Sequence, residues 1–446
     1  MQDETAAAGR AAAPEAQPTL AEAFRQFTRI GLLSFGGPTA QIAVMHRILV
    51  DETKWLTEQR FLNALSFCML LPGPEAMQLA TYAGWRLHGV LGGLMAGLLF
   101  VLPGAAVILA LAAIYAAYGN VPVVAAIFLG IKAAVLIIVV EALLRIARRA
   151  LGEGVYWVIA GLAFMAIFFF SLPFPLVIAL AALAGLLFSR ARAATGEAVE
   201  HAPVRLTDTL TTVAIWTAIW IVPLLGVALV FGQGHVLTQL GIFFSKLAVV
   251  TFGGAYAVLA YMAQQVVQGF GWLTAGEMLD GLGLAETTPG PLILVTEFVG
   301  FLAAYRHGGG SPLAMGVAGA VVTLWATFAP CFLWIFAGAP FIERLQSMPR
   351  VKAALAGVTA AVVGVILNLA VWFALHVFFA KVTAVPLGPA KIWLPELATL
   401  DLRTLLLSLV SAAALLWLHW GIGRTLLLAA GLALAWHWLA PLAGAA

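Results

Sequence analysis

The sequence predicts an all-α polytopic membrane protein made of two inverted, homologous repeats whose broken or re-entrant helices meet near the bilayer midplane. Three observations lead there. Hydrophobic residues make up 63% of the 446-residue chain and charged residues 10%, against about 25% charged in an ordinary soluble domain; the mean hydropathy is +1.02. Apolar stretches long enough to cross a ~30 Å hydrocarbon core, roughly 20 residues each, recur from end to end. The motifs of the first half return in the second at a fixed spacing.

The elements follow in order. Residues 1–21 are rich in Ala and Pro with acidic side chains. They lack the basic start and apolar core of a signal peptide and read as a disordered tail. A first repeat, 22–189, holds apolar segments at 24–49, 61–87, 89–118, 121–147, 154–170 and 172–188. The polar stretch 190–210, with Arg190, Arg192, Glu197, Glu200 and Arg205, reads as a cytoplasmic linker. One connecting transmembrane helix is expected at 211–233. A second repeat, 234–446, holds segments at 240–266, 278–304, 312–338, 352–380, 403–420 and 422–440.

Three motif pairs relate the repeats. Phe35-Gly36-Gly37 aligns with Phe252-Gly253-Gly254, Trp55-Leu56-Thr57 with Trp272-Leu273-Thr274, and Pro72-Gly73-Pro74 with Pro289-Gly290-Pro291, all at an offset of 217 positions (252 − 35). Arg29 meets Lys246 and Ser34 meets Thr251 at the same offset. Lys132-Ala133-Ala134 resembles Lys352-Ala353-Ala354 at an offset of 220 (352 − 132). An even number of crossings per repeat, plus one connecting helix, starts the second repeat on the opposite side of the membrane. Secondary transporters are often built this way.

Loop charges set the sides. Arg145, Arg148 and Arg149, then Arg190, Arg192 and Arg205, then Arg344, Arg350 and Lys352 form three basic connections. The positive-inside rule puts all three in the cytoplasm. The loops near 119–122, 171–175 and 232–239 carry no Lys or Arg and fit the outside, whereas 381–402, with Lys381 and Lys391, fits it less well. The N-terminus is then cytoplasmic and the C-terminus outside.

In each repeat Phe-Gly-Gly and Pro-Gly-Pro break two successive apolar segments near their centres. Proline removes a backbone donor and restricts the residue before it, and glycine admits shapes other residues resist. A break at membrane depth survives only where it is packed in protein or lines a wet cavity. The fragment 61–71 would span about 16 Å at ~1.5 Å per residue, roughly half the core. Each broken segment is therefore either a re-entrant hairpin or a broken helix that crosses. Residues 47–60 hold Arg47, Lys54 and Arg60, while 266–277 hold no Lys or Arg; only hairpins put the first loop inside and the second outside, so hairpins are favoured.

Such breaks place helix N-termini at mid-depth. An N-terminus exposes unpaired N–H groups and about half a positive charge, and successive glycine N–H groups form an anion-receiving nest. Pro38, Pro74 and Pro291 suit the start of a second half-helix. The candidate anion-binding residues are therefore Gly36, Gly37, Pro38, Pro72, Gly73, Pro74, Gly253, Gly254, Pro289, Gly290 and Pro291. Ionisable residues at depth tend to be functional. Lys132 lies close to the midplane with no carboxylate one turn away, and either binds substrate or serves coupling, or pairs with a carbonyl or another helix; the matched Arg29 and Lys246 either serve an anion or anchor at the interface. Glu75 follows Pro-Gly-Pro directly and Glu286 precedes its second copy; both are candidates for carrying a proton. Glu141 with Arg145 reads as an (i, i+4) pair.

Other chemistries have no support. No Gly-Lys-Ser/Thr run, Gly-x-Ser-x-Gly elbow or metal-ligand spacing occurs, so the chain calls for no cofactor, metal or catalytic site. A net charge of +3 points to no nucleic-acid partner. Cys68 and Cys331 lie in apolar segments and read as free buried thiols. The expected surroundings are a lipid bilayer, and a homodimer is compatible with the sequence.

"SFGGPTAQIAVMH" at 34–46, "LPGPEAMQLATYAGW" at 71–85 and "TTPGPLILVTEFVGF" at 287–301 resemble the two signature regions of the chromate ion transporter family. The resemblance covers roughly 22–440 and is most specific in 24–104 and 240–305. It implies the long-chain type, with homologous halves oppositely oriented in the bacterial inner membrane. It also implies chromate efflux giving chromate resistance, with sulfate as the structural analogue and the proton-motive force as the energy source. The second glycine pair is followed by Ala255 where the first has Pro38, so the halves are not equivalent. Alternatives are a transporter of sulfate or another small anion, an anion channel, or a membrane enzyme acting on a lipid-linked phosphate. The last needs an acid–base pair beside the anion cradle, and the sequence offers only Glu75.

Overall fold

The structure, a computed structural model, describes residues 18–119, 121–152, 154–188, 206–250, 252, 255–342 and 348–443. Gly253, Gly254 and most of both the expected tail and the expected linker lie outside the described residues.

The first helix, α1 (Leu20–Leu33), starts within the expected tail because Thr19 and Glu22 form a reciprocal capping box there. It stops at Ser34. α2 (Gly37–His46) runs on into a π-helical turn, Arg47–Glu52. α3 (Glu58–Cys68) is capped by Thr57 and ends before Pro-Gly-Pro, after which α4 (Glu75–Tyr118) begins. α4 is not one rod. His88 and Gly89 leave helical geometry, so two arms, 75–87 and 90–118, fold against each other. Gly84 and Gly92 make that contact: a Cβ on either would strike the other's carbonyl oxygen. α5 (Pro122–Ala150), α6 (Gly154–Phe168) and α7 (Phe174–Phe188) complete the first half.

The connecting helix is α8 (Leu206–Phe231). Then come α9 (Val236–Val250), α10 (Ala255–Gln264) with a π-helical turn, α11 (Ala275–Thr287), α12 (Val295–His307) and α13 (Pro312–Gly338). α14 (Pro349–Phe378) leads into the hairpin of β1 (Val382–Leu387) and β2 (Ala390–Pro395), and α15 (Leu402–Ala412) and α16 (Ile422–Ala443) close the chain. Gly300 of α12 and Gly319 of α13 repeat the close approach of Gly84 and Gly92. Among the described residues six helices are long and apolar enough to cross a membrane.

The third and fourth elements match at a new offset. Pro103 and Pro330 lie inside equivalent helices, Pro122 and Pro349 each open a helix, and Gly130 and Gly357 each press on a neighbouring backbone, all at 227 (349 − 122). The sequence offset of 220 is thereby corrected: Lys132 corresponds to Thr359, not Lys352. The second repeat gained ten positions (227 − 217) after its Pro-Gly-Pro.

The halves exchange helices. α14 of the second half packs against α6 and α7 of the first, and α5 of the first packs against α15 and α16 of the second. Gly357 meets Ala181 and Gly185, while Gly130 meets Ala429. Such reciprocity is what a two-fold relation requires. Lys391 N–H of the β-hairpin donates to Phe169 of the α6–α7 turn, 2.7 Å.

The broken segments return. Arg306 in the last turn of α12 pairs with Glu277 in the first turn of α11 at 2.5 Å. The open ends of these arms are therefore adjacent, with Pro289-Gly290-Pro291 at the far tip: a re-entrant hairpin. In the first half Arg29 of α1 pairs with Glu52 of the π turn, 2.6 Å, so that chain also doubles back. The 27-residue α13, ~40 Å long by helical rise, relates the two open ends. It starts just after Gly308, whose carbonyl meets His235, at the open end of α11–α12. It ends with Phe336 on Gly93, beside the His88–Gly89 turn that ends the matching arm of α4. The hairpins of the two repeats open toward opposite sides.

Candidate functional site

The hairpin tips meet in the interior. The backbone N–H of Gly290 donates to the Ser34 carbonyl at 2.8 Å, and Gln41 Nε2 donates to the Gly290 carbonyl at 2.7 Å. Ser34 and Gln41 are both buried. The turns depend on left-handed backbone at Gly36 (φ 81°), Gly37 (φ 80°), Gly73 (φ 117°) and Gly290 (φ 90°), where a Cβ brings strain. Gly104 of α4 lies against the Pro289 carbonyl, and Cys331 of α13 lies over Gly73. Gln78 Nε2 donates to the Pro72 carbonyl, 2.7 Å. Each Pro-Gly-Pro tip is thus packed against a long helix of the other half.

A cavity of about 360 Å³ opens beside these tips. Pro38 and Thr39 line it from the start of α2, and Gly73 and Glu75 from the start of α4. Arg145 and Arg149 come from one stripe of α5, with Tyr256 from α10 and Thr359 from α14. Thr39 and Arg145 also border a second cavity of about 940 Å³, with Gly36, Glu141, Glu286 and the turn before α16. Arg145 is held by Glu141 one turn earlier. Tyr256 donates its hydroxyl to Glu286 Oε1 at 2.7 Å, while Glu286 Oε2 is buried without a partner.

Two helix N-termini and two guanidinium groups around one small chamber offer N–H donors and positive charge of the kind that an anion takes. The carboxylates beside it, Glu75, Glu141 and Glu286, keep the positive field from being total. Neutral side chains near the breaks are occupied locally: the Ser34 hydroxyl donates to the Ile30 carbonyl at 2.6 Å and Thr287 to the Leu284 carbonyl at 2.9 Å.

The expected residues divide in two. Gly36, Pro38, Gly73, Glu75 and Glu286 line the cavities, and Gly37, Pro72, Pro74, Pro289, Gly290 and Pro291 build the turns around them. The basic residues expected at the tips lie elsewhere. Arg29 is taken by Glu52, both side chains being partly exposed. Lys246 is exposed on α9. Lys132 pairs with Asp280 of α11 at 3.2 Å, and Asp280 Oδ2 also accepts from the Tyr115 hydroxyl at 2.7 Å. Among the described residues the cations that reach the cavity are Arg145 and Arg149, which the sequence presents as a paired residue and a loop residue. Their (i, i+4) spacing on a helix continuing to Ala150 was the available signal. Asp280 lies between Glu277 and Glu286 on α11, and nothing local in the sequence marks it, because its partners Lys132 and Tyr115 come from the other half.

Comparison with known proteins agrees with this architecture. A family model described as "Chromate transporter" matches residues 21–186 and 238–436, one stretch in each half. The chain is 37% identical over 355 residues to a chromate transport protein of Pseudomonas aeruginosa, covering 77% of this chain and 78% of that one. It is 30% identical over 404 residues to a chromate transport protein of Cupriavidus metallidurans, covering 89% and 88%. A probable chromate transport protein of Synechococcus elongatus is 30% identical over 352 residues, covering 78% and 83%. No solved structure matches the chain. With the family match spanning both halves, this multi-pass membrane protein belongs to the chromate transporter family.

Proposed function

We infer that the protein is a secondary active transporter that exports chromate from the cytoplasm across the bacterial inner membrane, confers chromate resistance and draws on the proton-motive force. The observation that carries this reading is the tip cavity, where the starts of α2 and α4 converge with Arg145 and Arg149. The substrate is taken from relatives that are chromate transport proteins. Chromate is a tetrahedral dianion and needs donors on several faces. Arg145 is already balanced by Glu141. With Glu75 protonated, Arg149 and two helix ends of about half a charge each supply roughly two positive charges, enough to hold a dianion; ionised Glu75 removes about one of them and favours release. Sulfate, of the same shape and charge, should compete.

The basic loops support an orientation with the Arg148–Arg149 end of α5, the N-terminus and the cavity mouth toward the cytoplasm and the C-terminus outside. Export of a dianion then runs with the membrane potential, which contributes about 4.6 kcal/mol per 100 mV at ~2.3 kcal/mol per charge. Glu75 and Glu286 border the cavities and are the carboxylates proposed to exchange protons there. The test is uptake of labelled chromate by inside-out membrane vesicles, with and without a proton gradient, against excess sulfate. Saturable, sulfate-inhibited uptake stimulated by the gradient is expected; uptake no greater than in vesicles lacking the protein would overturn the reading.

A further inference from the structure

We propose that Asp280 and Lys132 form a proton-operated tie between the two repeats: a proton arriving from the outer side neutralises Asp280, frees Lys132 and lets the α11–α12 hairpin separate from α5. This rests on the transporter reading above and names where its energy enters.

The geometry is specific. Asp280 is 2% exposed at its side chain and Lys132 27%. Their bond joins α11 of the second half to α5 of the first. Asp280 Oδ2 carries both its partners, Lys132 and Tyr115, while Oδ1 is buried with none. A carboxylate with one saturated and one orphaned oxygen has a ready place for a proton. Once it is neutral, the ionic half of the tie is gone. The surrounding seam is built for close contact and for little else: Gly276 backs onto the Lys132 ammonium group, and Gly283 onto Ile131.

The access route is short. Glu277 and Arg306 form the rim at the open end of the hairpin. Asp280 lies three residues further in, ~4.5 Å along the helix axis. Glu286 lies six residues beyond that, ~9 Å further, beside Tyr256 and the cavity. One half-helix thus carries acids from the outer rim to the anion chamber. The charged or titratable groups facing Asp280 are Lys132 of α5, Tyr115 of α4, Glu277 of its own helix and, through Glu277, Arg306 of α12. α12 also carries Glu297, buried near the hairpin tip. α14 and α16 touch α11 as well, but their Arg350, Lys352, His376, Arg424 and His437 lie toward the helix ends.

The step is a plain proton transfer: hydronium on the outer side gives H⁺ to Asp280 Oδ1 and leaves water, and the ammonium of Lys132 keeps its own protons. Infrared difference spectra of the full-length protein in liposomes, taken across a pH step, should show a protonated-carboxyl band that is lost in Asp280→Asn. This readout needs no transport and separates failure of the tie from failure of the function. In inside-out vesicles Asp280→Asn should keep chromate exchange but lose its stimulation by a proton gradient, and Asp280→Glu should restore stimulation with a displaced pH profile. Should Asp280→Asn insert poorly, Lys132→Met/Asp280→Leu removes both charges and leaves neither buried alone; it should behave likewise. An unchanged carboxyl band in Asp280→Asn, or full gradient stimulation in the double variant, would overturn the proposal.

Discussion

Gly290 of the second repeat donates its backbone N–H to the carbonyl of Ser34 in the first, across 2.8 Å. The bond joins two interrupted helices from opposite halves at their interruptions, and Gln41 closes the same junction from the side. Substitution should therefore act on this joint rather than on membrane insertion. A Cβ on Gly290 would sit 3.0 Å from Leu294 and 3.4 Å from the Phe100 carbonyl, at a φ of 90°. Gly290→Ala is expected to insert at normal levels and to lose most transport, read as protein per membrane area against chromate uptake in inside-out vesicles. Gly73→Ala should match it, since its Cβ would lie 2.8 Å from Gln78 Nε2 and 3.1 Å from Cys331 Sγ. Gly37→Ala should be milder: its φ is also positive, at 80°, but nothing lies within 4 Å, leaving a conformational cost of about 1–2 kcal/mol.

Gln41 makes a second, separable prediction. Its amide holds a buried backbone carbonyl, and removing one partner of such a bond costs about 1–3 kcal/mol. Gln41→Leu should lower the midpoint of thermal unfolding in detergent. Combined with Gly290→Ala it should cost less than the sum of the two, because both changes damage one contact.

The glycine pairs between helix arms predict a stability effect without a functional one. Gly84 with Gly92, and Gly300 with Gly319, bring backbones into direct contact, the arrangement by which small residues let membrane helices approach. Alanine at either member of a pair forces the arms apart, at about 1–3 kcal/mol for an overpacked site. Gly92→Ala and Gly319→Ala should each lower thermal stability, and at temperatures where they stay folded should leave the chromate KM unchanged.

The parts of this design that were legible in the sequence are those written in backbone chemistry. Phe35-Gly36-Gly37 and the two Pro-Gly-Pro runs mark the breaks by residue type, and the uneven charge of 47–60 and 266–277 favoured hairpins, as Arg306 with Glu277 bears out for α11–α12. What stayed hidden depends on contacts between halves. Lys132 looked unpaired because Asp280 lies 148 positions away (280 − 132) on a helix that only the exchange of elements brings alongside. The match of Lys132 to Lys352 failed because the second repeat gained residues between its hairpin and its third helix, shifting the offset without disturbing the short Lys-Ala-Ala likeness. Tyr256 gave no local signal, since its role comes from Glu286 thirty residues on, across a break and a loop.

Arg149 and Arg145 yield the prediction that bears most directly on substrate. Both face the tip cavity from one stripe of α5, but among the described residues only Arg145 is held by a carboxylate one turn away. Removing Arg149 takes away a charge that an anion would use and strands no acid among the described residues; a hydrogen bond to a charged group contributes about 1.5–3 kcal/mol. Arg149→Gln should therefore raise the chromate KM by roughly ten- to a hundredfold, with little change in protein level. Arg149→Lys keeps the charge but not the fork of donors that grips two oxygens at once, and should recover part of that loss. Arg145→Gln is different: it strands Glu141 beside the cavity, so maximal rate and KM should both suffer, and Glu141→Gln in the same chain should restore some of the rate. Concentration series of chromate uptake for the four variants would decide the matter. A KM unmoved by Arg149→Gln would mean the anion is bound elsewhere along the tips.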